Sequence, residues 1–280
     1  MREVAIVGAG ELGGATAHLL ARRDVARTIV LVDDAGTIAA GKALDLAQAA
    51  PVEGFATQIS GSADVASASG ASVIVLAEPA RGGEWQGDEA QQLLKRIAAG
   101  APDAIVICAG AMHRDVVQLG VRDMKIPPTR LVGTAPEALA GAARAVVALA
   151  VNGSPRDVSL SVLGVPPNHI VVPWEDATVA GFALTRSLGD PARRRLAATI
   201  EAMWPPGPHA LAAAAVKAIE SIAGRSREVV SCFVGPDTSA GTRTRTAAMP
   251  VRLGAAGVVE VLTPSLSVVE RVALENAMIL

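Results

Sequence analysis

Tyrosine is absent from the chain, and phenylalanine and tryptophan occur three times each in 280 residues. That scarcity excludes an aromatic platform for stacking the bases of single-stranded nucleic acid. Cysteine is almost as rare. Cys108 and Cys232 both lie among apolar, strand-like residues, a setting for buried reduced thiols rather than for a disulfide or a metal centre. The four histidines are scattered, so zinc-ligand spacing is missing. An excess of either charge is missing too. A net charge of −2 and a pI near 6.1 supply neither a basic footprint for nucleic acid nor a polybasic face for a membrane, and the short run Arg193, Arg194, Arg195 reads as a solvated helix face. The hydrophobic fraction is 51 % and the mean hydropathy +0.40, yet no apolar run approaches the ~18 residues of a membrane span. The excess is alanine and valine in short runs broken by charge and turn residues. The first strand follows directly on the N-terminus without a basic segment and apolar core, so no signal peptide is expected and the expected location is cytoplasmic.

What the chain does contain is concentrated first in residues 4–14, VAIVGAGELGG. Four apolar residues at 4–7 read as a buried strand that runs into Gly8, Gly10 and Gly13, the G-x-G-x-x-G spacing, ahead of a helical apolar period. In that context Gly8 makes a tight turn, Gly10 lets backbone approach a pyrophosphate, and Gly13 lets the helix pack closely on the strand. A second strand ends at Asp33, ~20 residues beyond the glycines, where a carboxylate would accept from the ribose 2′-hydroxyl of NAD and repel the 2′-phosphate of NADP.

From there short apolar runs alternate with helical segments, which argues for a parallel sheet with crossover helices. Strands are expected at residues 4–7, 29–32, 57–60, 73–77, 104–108 and 131–132, and helices at 12–22, 38–49, 88–99 and 136–150. Together they predict a doubly wound α/β sheet. After the turn cluster Asn152, Gly153, Ser154, Pro155 the character changes to α+β. Strands are expected at 158–163, 171–172, 229–234, 251–253 and 258–262, with helices at 191–203, 210–223 and 265–276.

The segment GKALDLAQAAPVEGF at 41–55 resembles the NAD-dependent lactate and malate dehydrogenases. So do the glycine loop, VLVD ending at Asp33, SGSADVASASGASVIVLA at 60–77 and PDAIVI at 102–107. VLG at 162–164, VVPW at 171–174 and MPVRLGAAGVVEVL at 249–262 extend the likeness to the second half in outline. The resemblance implies a Rossmann NAD-binding domain at 1–134, an α+β lactate/malate dehydrogenase-type substrate domain at 135–280, assembly as a homodimer or homotetramer, NAD(H) as cofactor, and a small anionic 2-hydroxy or 2-oxo acid as substrate.

The same resemblance implies a set of catalytic groups, and most of them are missing. The family loop G-[IV]-P-R-K-P-G-M-x-R is AEPARGGEWQG here, with Arg81 at the first arginine and Gly87 at the second. T-N-P-[VL]-D becomes Gly110, Ala111, Met112, His113, Arg114. L-D-x-x-R maps onto residues 138–142 with Leu139 and Ala142 at the functional positions, and the turn of G-x-H-G-D, counted from Gly164, continues as VPPNH with Pro166 at the histidine. His169, three residues further on, and His113, just after the fifth strand at the crevice edge, are the candidate acid/base groups, and Arg81 is the candidate cation for an anionic substrate. The expected protein is an NAD(H)-binding oxidoreductase of this type with an altered or lost 2-hydroxy-acid site. The alternative is a non-catalytic NAD(H)-binding paralogue acting as a sensor or oligomer partner.

Overall fold

A computed structural model describes residues 1–236 and 245–279. The first half comprises β1 (Glu3–Val7), α1 (Glu11–Arg22), β2 (Thr28–Val32), α2 (Gly36–Glu53), β3 (Gln58–Ser62), β4 (Val73–Leu76), α3 (Gly87–Gly100), β5 (Ile105–Cys108), α4 (Arg114–Arg122), β6 (Leu131–Gly133) and α5 (Ala135–Ala150). The second half continues with β7 (Val158–Ser159), β8 (Leu163–Val165), β9 (His169–Val171), β10 (Thr178–Val179), β11 (Phe182–Ala183), α6 (Asp190–Glu201), α7 (Pro208–Ile222), β12 (Val230–Val234), β13 (Ala247–Gly254), β14 (Gly257–Val261) and α8 (Val268–Ile279).

Strands β4 and β5 are buried at every residue, and β1 and β2 at all but the first. Unbroken apolar runs of this kind suit a parallel sheet covered on both faces. The covering helices carry the matching stripe: in α3 the buried residues are Ala90, Leu93, Leu94 and Ile97, the i, i+3, i+4, i+7 set of one helix face. Strand order β3-β2-β1-β4-β5-β6, all parallel, reverses direction between β1 and β4. A crevice at the carboxyl ends of those two strands is the expected ligand position.

The sheet does not stop at β6. Strand β12 pairs antiparallel with it, matching Phe233 to Gly133 and Val234 to Val132, and β13, β8 and β9 follow, with β14 also on β13. Side chains from both halves form one main core, while a smaller one gathers Leu139, Val147, Val162, Leu184 and Ile200 under α5 and α6. Two expectations need correction. The alternating stretch 158–163 is not one strand: β7 joins β10 and β11 in a small separate sheet, and β8 belongs to the main one. Helix α4 was not expected, because its nine residues hide a narrow buried face (Val116, Val117, Gly120) among charges.

Candidate functional site

The turn after β1 is built by close backbone contact. Gly8 has φ +112° and its amide donates to the Val32 carbonyl at 2.8 Å. A Cβ there would collide with the carbonyls of Ala77 and Glu78, and one at Gly13 would collide with the Gly8 carbonyl. Only glycine permits this approach of α1 to the ends of β1 and β4.

Asp33, at the end of β2, is 3 % exposed. Its Oδ2 accepts from the Ala9 amide at 2.7 Å and the Ala80 amide at 2.8 Å, and its Oδ1 accepts from the Ala35 amide at 2.9 Å. Burial alone would raise this carboxyl, but the amides of Ala9, Ala80 and Ala35, with Asp34, outweigh it and hold it below the ordinary value. It therefore ties three segments together as an ionised acceptor.

The loop from β4 to α3 lies across this cradle. The Leu12 amide, in the first turn of α1, donates to Glu78 Oε1 at 2.8 Å, and the Gly10 amide donates to the Glu78 carbonyl at 3.0 Å. Glu78 Oε2 is buried without a hydrogen-bond partner. Lys42 Nζ reaches the Gly10 carbonyl at 2.6 Å from the other side. Further along, the Trp85 indole donates to the Ala77 carbonyl at 2.6 Å, and Glu84 accepts from the amides of Ala111 (2.9 Å) and Met112 (2.8 Å) at the entrance to α4. Burial raises the Glu84 carboxyl, those amides oppose the rise, and the Glu78 charge adds to it.

His113, just after β5, is fully buried. Its Nδ1 accepts from the Gly110 amide at 3.0 Å, which assigns the proton to Nε2, and Nε2 lies 3.7 Å from Glu84 Oε2 without a hydrogen bond. Burial holds the imidazole down to about 4, so it is neutral at pH 7. Arg81 is half-exposed. It meets Glu89 at 2.8 Å and Asp34 at 3.8 Å, and lies 5.7 Å from the Trp85 ring centre, beside a cavity of about 230 Å³ lined also by Asp33 and Arg96. His169 is exposed at the start of β9, paired with Val165. Among the described residues no hydrogen bond or ion pair joins any two of Arg81, His113 and His169.

Leu139 is fully buried in the smaller core, and Ala142 lines a cavity of about 270 Å³ with Glu137, Arg144 and Lys217. Those three polar groups, unanticipated from sequence, form a network: Glu137 Oε1 accepts from Arg144 at 2.6 Å and Lys217 at 2.8 Å, and Oε2 accepts from the Ser231 amide at 2.8 Å. Both cysteines are buried and free, and burial pushes both thiols up. Sequence reading also passed over Glu78 and Glu84. Their signal was in the loop alignment: the two glycines of G-[IV]-P-R-K-P-G-M-x-R fall on these two glutamates.

The frame fits a dinucleotide, since Gly8 and Gly13 permit a close backbone approach that any Cβ would block, which brings the first amides of α1 to the ends of β1 and β4. A strand, a glycine turn and a helix opening a 3-2-1-4-5-6 parallel sheet, with an acid closing the second strand, define a dinucleotide-binding α/β protein. Residues 2–110 match the family model described as lactate/malate dehydrogenase, NAD binding domain. The malate dehydrogenase of Thermomicrobium roseum is 31 % identical over 296 residues, spanning 99 % of this chain and 94 % of that one. The chain belongs to the lactate/malate dehydrogenase family. In fold it is similar to the malate dehydrogenase of Salinibacter ruber (TM-score 0.84, 24 % identity, 98 % and 93 % of the two chains). It is also similar to the lactate dehydrogenase of Cryptosporidium parvum solved with lactic acid and NAD (TM-score 0.87, 24 % identity, 99 % and 94 %). Among the described residues no helix is long and apolar enough to cross a membrane, and no cluster of three or more His, Cys, Asp or Glu could hold a metal ion.

Proposed function

We propose that the chain is an NAD(H)-binding member of its family whose 2-hydroxy-acid site is altered or lost. Residues 1–134 hold the nucleotide, with Gly8, Gly10 and Gly13 at the pyrophosphate and Asp33 at the adenosine ribose. Residues 135–280 frame the substrate side. When bound, NAD would supply the hydride acceptor. The observation that carries this reading is the contrast between an intact glycine–Asp33 frame and Leu139, Ala142 and Pro166, which cannot titrate or grip a carboxylate and which the motif spacing aligns with the family's aspartate, arginine and histidine. What remains for proton transfer is an exposed His169 and a buried His113 that faces Glu84. Arg81 is the cation available to a small anionic 2-oxo acid, although it is already shared between Glu89 and Asp34. Assembly as a homodimer or homotetramer follows the family.

The test is binding against turnover. NADH is expected to bind in calorimetry, while malate, lactate and their keto acids turn over at a trace rate or not at all, because positioned acid/base groups supply typically 10²–10⁴-fold. Brisk oxaloacetate reduction that vanishes in His169→Ala would overturn the reading in favour of a rebuilt catalytic histidine.

A further inference from the structure

The loop between β4 and α3 presents two carboxylates to two sets of backbone amides. Glu78 takes the Leu12 amide in the first turn of α1, and Glu84 takes the Ala111 and Met112 amides ahead of α4. A third anchor, the Ala80 amide, donates to Asp33 Oδ2. The first amides of α1 are the donors a pyrophosphate would need, and Asp33 is the acceptor a ribose would need. The loop engages one group of each: Glu78 Oε1 takes the Leu12 amide, and the Ala80 amide donates to Asp33 Oδ2 alongside that of Ala9. The Glu78 seat is also imperfect: one oxygen is buried without a partner, and no cation pairs with the carboxylate among the described residues. Gly82, Gly83 and Gly87, at φ +84°, +79° and +51°, give the segment the wide backbone range that glycine alone allows, which suits a change of conformation.

We propose that Glu78 is an internal competitor for the dinucleotide pyrophosphate, and that the 78–86 loop must lift before NAD(H) can bind. This rests on the nucleotide-binding reading above and adds a regulator to the same site. Lifting the loop withdraws Glu78 from the Leu12 amide and Ala80 from Asp33 in one movement, so the pyrophosphate and ribose positions open together. The observed affinity is then the intrinsic affinity multiplied by the fraction of molecules in the open state. A closed loop also keeps the empty crevice from presenting bare amides.

The test compares NADH and ADP-ribose binding by calorimetry in the wild-type chain, Glu78→Gly and Glu78→Gln, with circular dichroism to verify folding. Glu78→Gly should tighten both ligands about tenfold or more, the gain expected if the open state is populated at roughly 10 % or less. Glu78→Gln keeps an acceptor for Leu12 but loses the charge, and should gain less. In the wild-type chain NADH should speed hydrogen exchange at residues 80–86. Equal or weaker binding by a folded Glu78→Gly, or NADH-induced protection of 80–86 in the wild-type chain, overturns the proposal while nucleotide binding stands. Failure of all three folded proteins to bind either ligand overturns the nucleotide reading and the proposal with it.

Discussion

Glu137→Ala is expected to lower the stability of the folded chain by about 3–5 kcal/mol, the usual cost of removing one partner from a buried charge cluster. Glu137 is 3 % exposed and receives Arg144, Lys217 and the Ser231 amide. Its loss takes the buried countercharge from two cations beside an alanine-lined cavity, leaving Lys217 to Glu228 at 3.1 Å and Arg144 to the Leu160 carbonyl at 3.3 Å, and it orphans a buried amide of β12. Each consequence adds to the cost, because a half-buried charge that loses its partner and a donor left unsatisfied are both penalised in a low dielectric. Glu137→Gln should lose less, since an amide oxygen still accepts from Ser231. Urea denaturation measures the effect as a lower midpoint at unchanged slope. A midpoint shift no larger than that of the surface change Arg22→Ala would refute the role given to the cluster.

Asp33→Ala is expected to cost about 2–4 kcal/mol, since an unsatisfied buried donor costs about 1–3 kcal/mol and the carboxylate satisfies the amides of Ala9, Ala35 and Ala80. Water can reach part of the Ala35 and Ala80 sites, which keeps the total below the simple sum. The pH dependence has a definite sign. The folded-state value of Asp33 lies below the ordinary 3.8, so the unfolded chain binds the proton first as acid is added. The contribution is complete above the ordinary value and disappears as pH falls through the folded one. The stability gap between the wild-type chain and Asp33→Ala should therefore be full at pH 7 and shrink in strong acid. A gap that widened on acidification would contradict the assigned bonds.

The parallel half was legible because its strands are apolar at nearly every position and its helices repeat at 3.6 residues, so periodicity alone separates them. Alternation over 158–163 misled because period two says nothing about which sheet a residue joins: Ser159 pairs with Thr178, whereas Leu163 pairs with Val171. In the site, the close approaches at Gly8 and Gly13 could be read from spacing, because local backbone geometry sets them, whereas the bonds of Asp33 to the amides of Ala9 and Ala80, 24 and 47 residues away, could not. Glu78 and Glu84 could not be placed. Their partners, Leu12 and Met112, are 66 and 28 residues away, and only the fold shows which amides a loop carboxylate will find. The position of His113 after β5 was legible, but its burial was not, since only the fold shows that the turn carries the ring inward against Gly110.

The ladder between β6 and β12 has a consequence for how the molecule comes apart. Residues 131–133 are hydrogen-bonded on one side to β5 and on the other to a strand 100 positions later, and the Phe233 ring covers Gly133. Unfolding the second half alone would bare an edge of a parallel sheet, with unpaired amides and carbonyls open to any passing strand. The two halves should consequently melt in one calorimetric transition, and a chain ended after residue 134 should self-associate through that newly exposed edge.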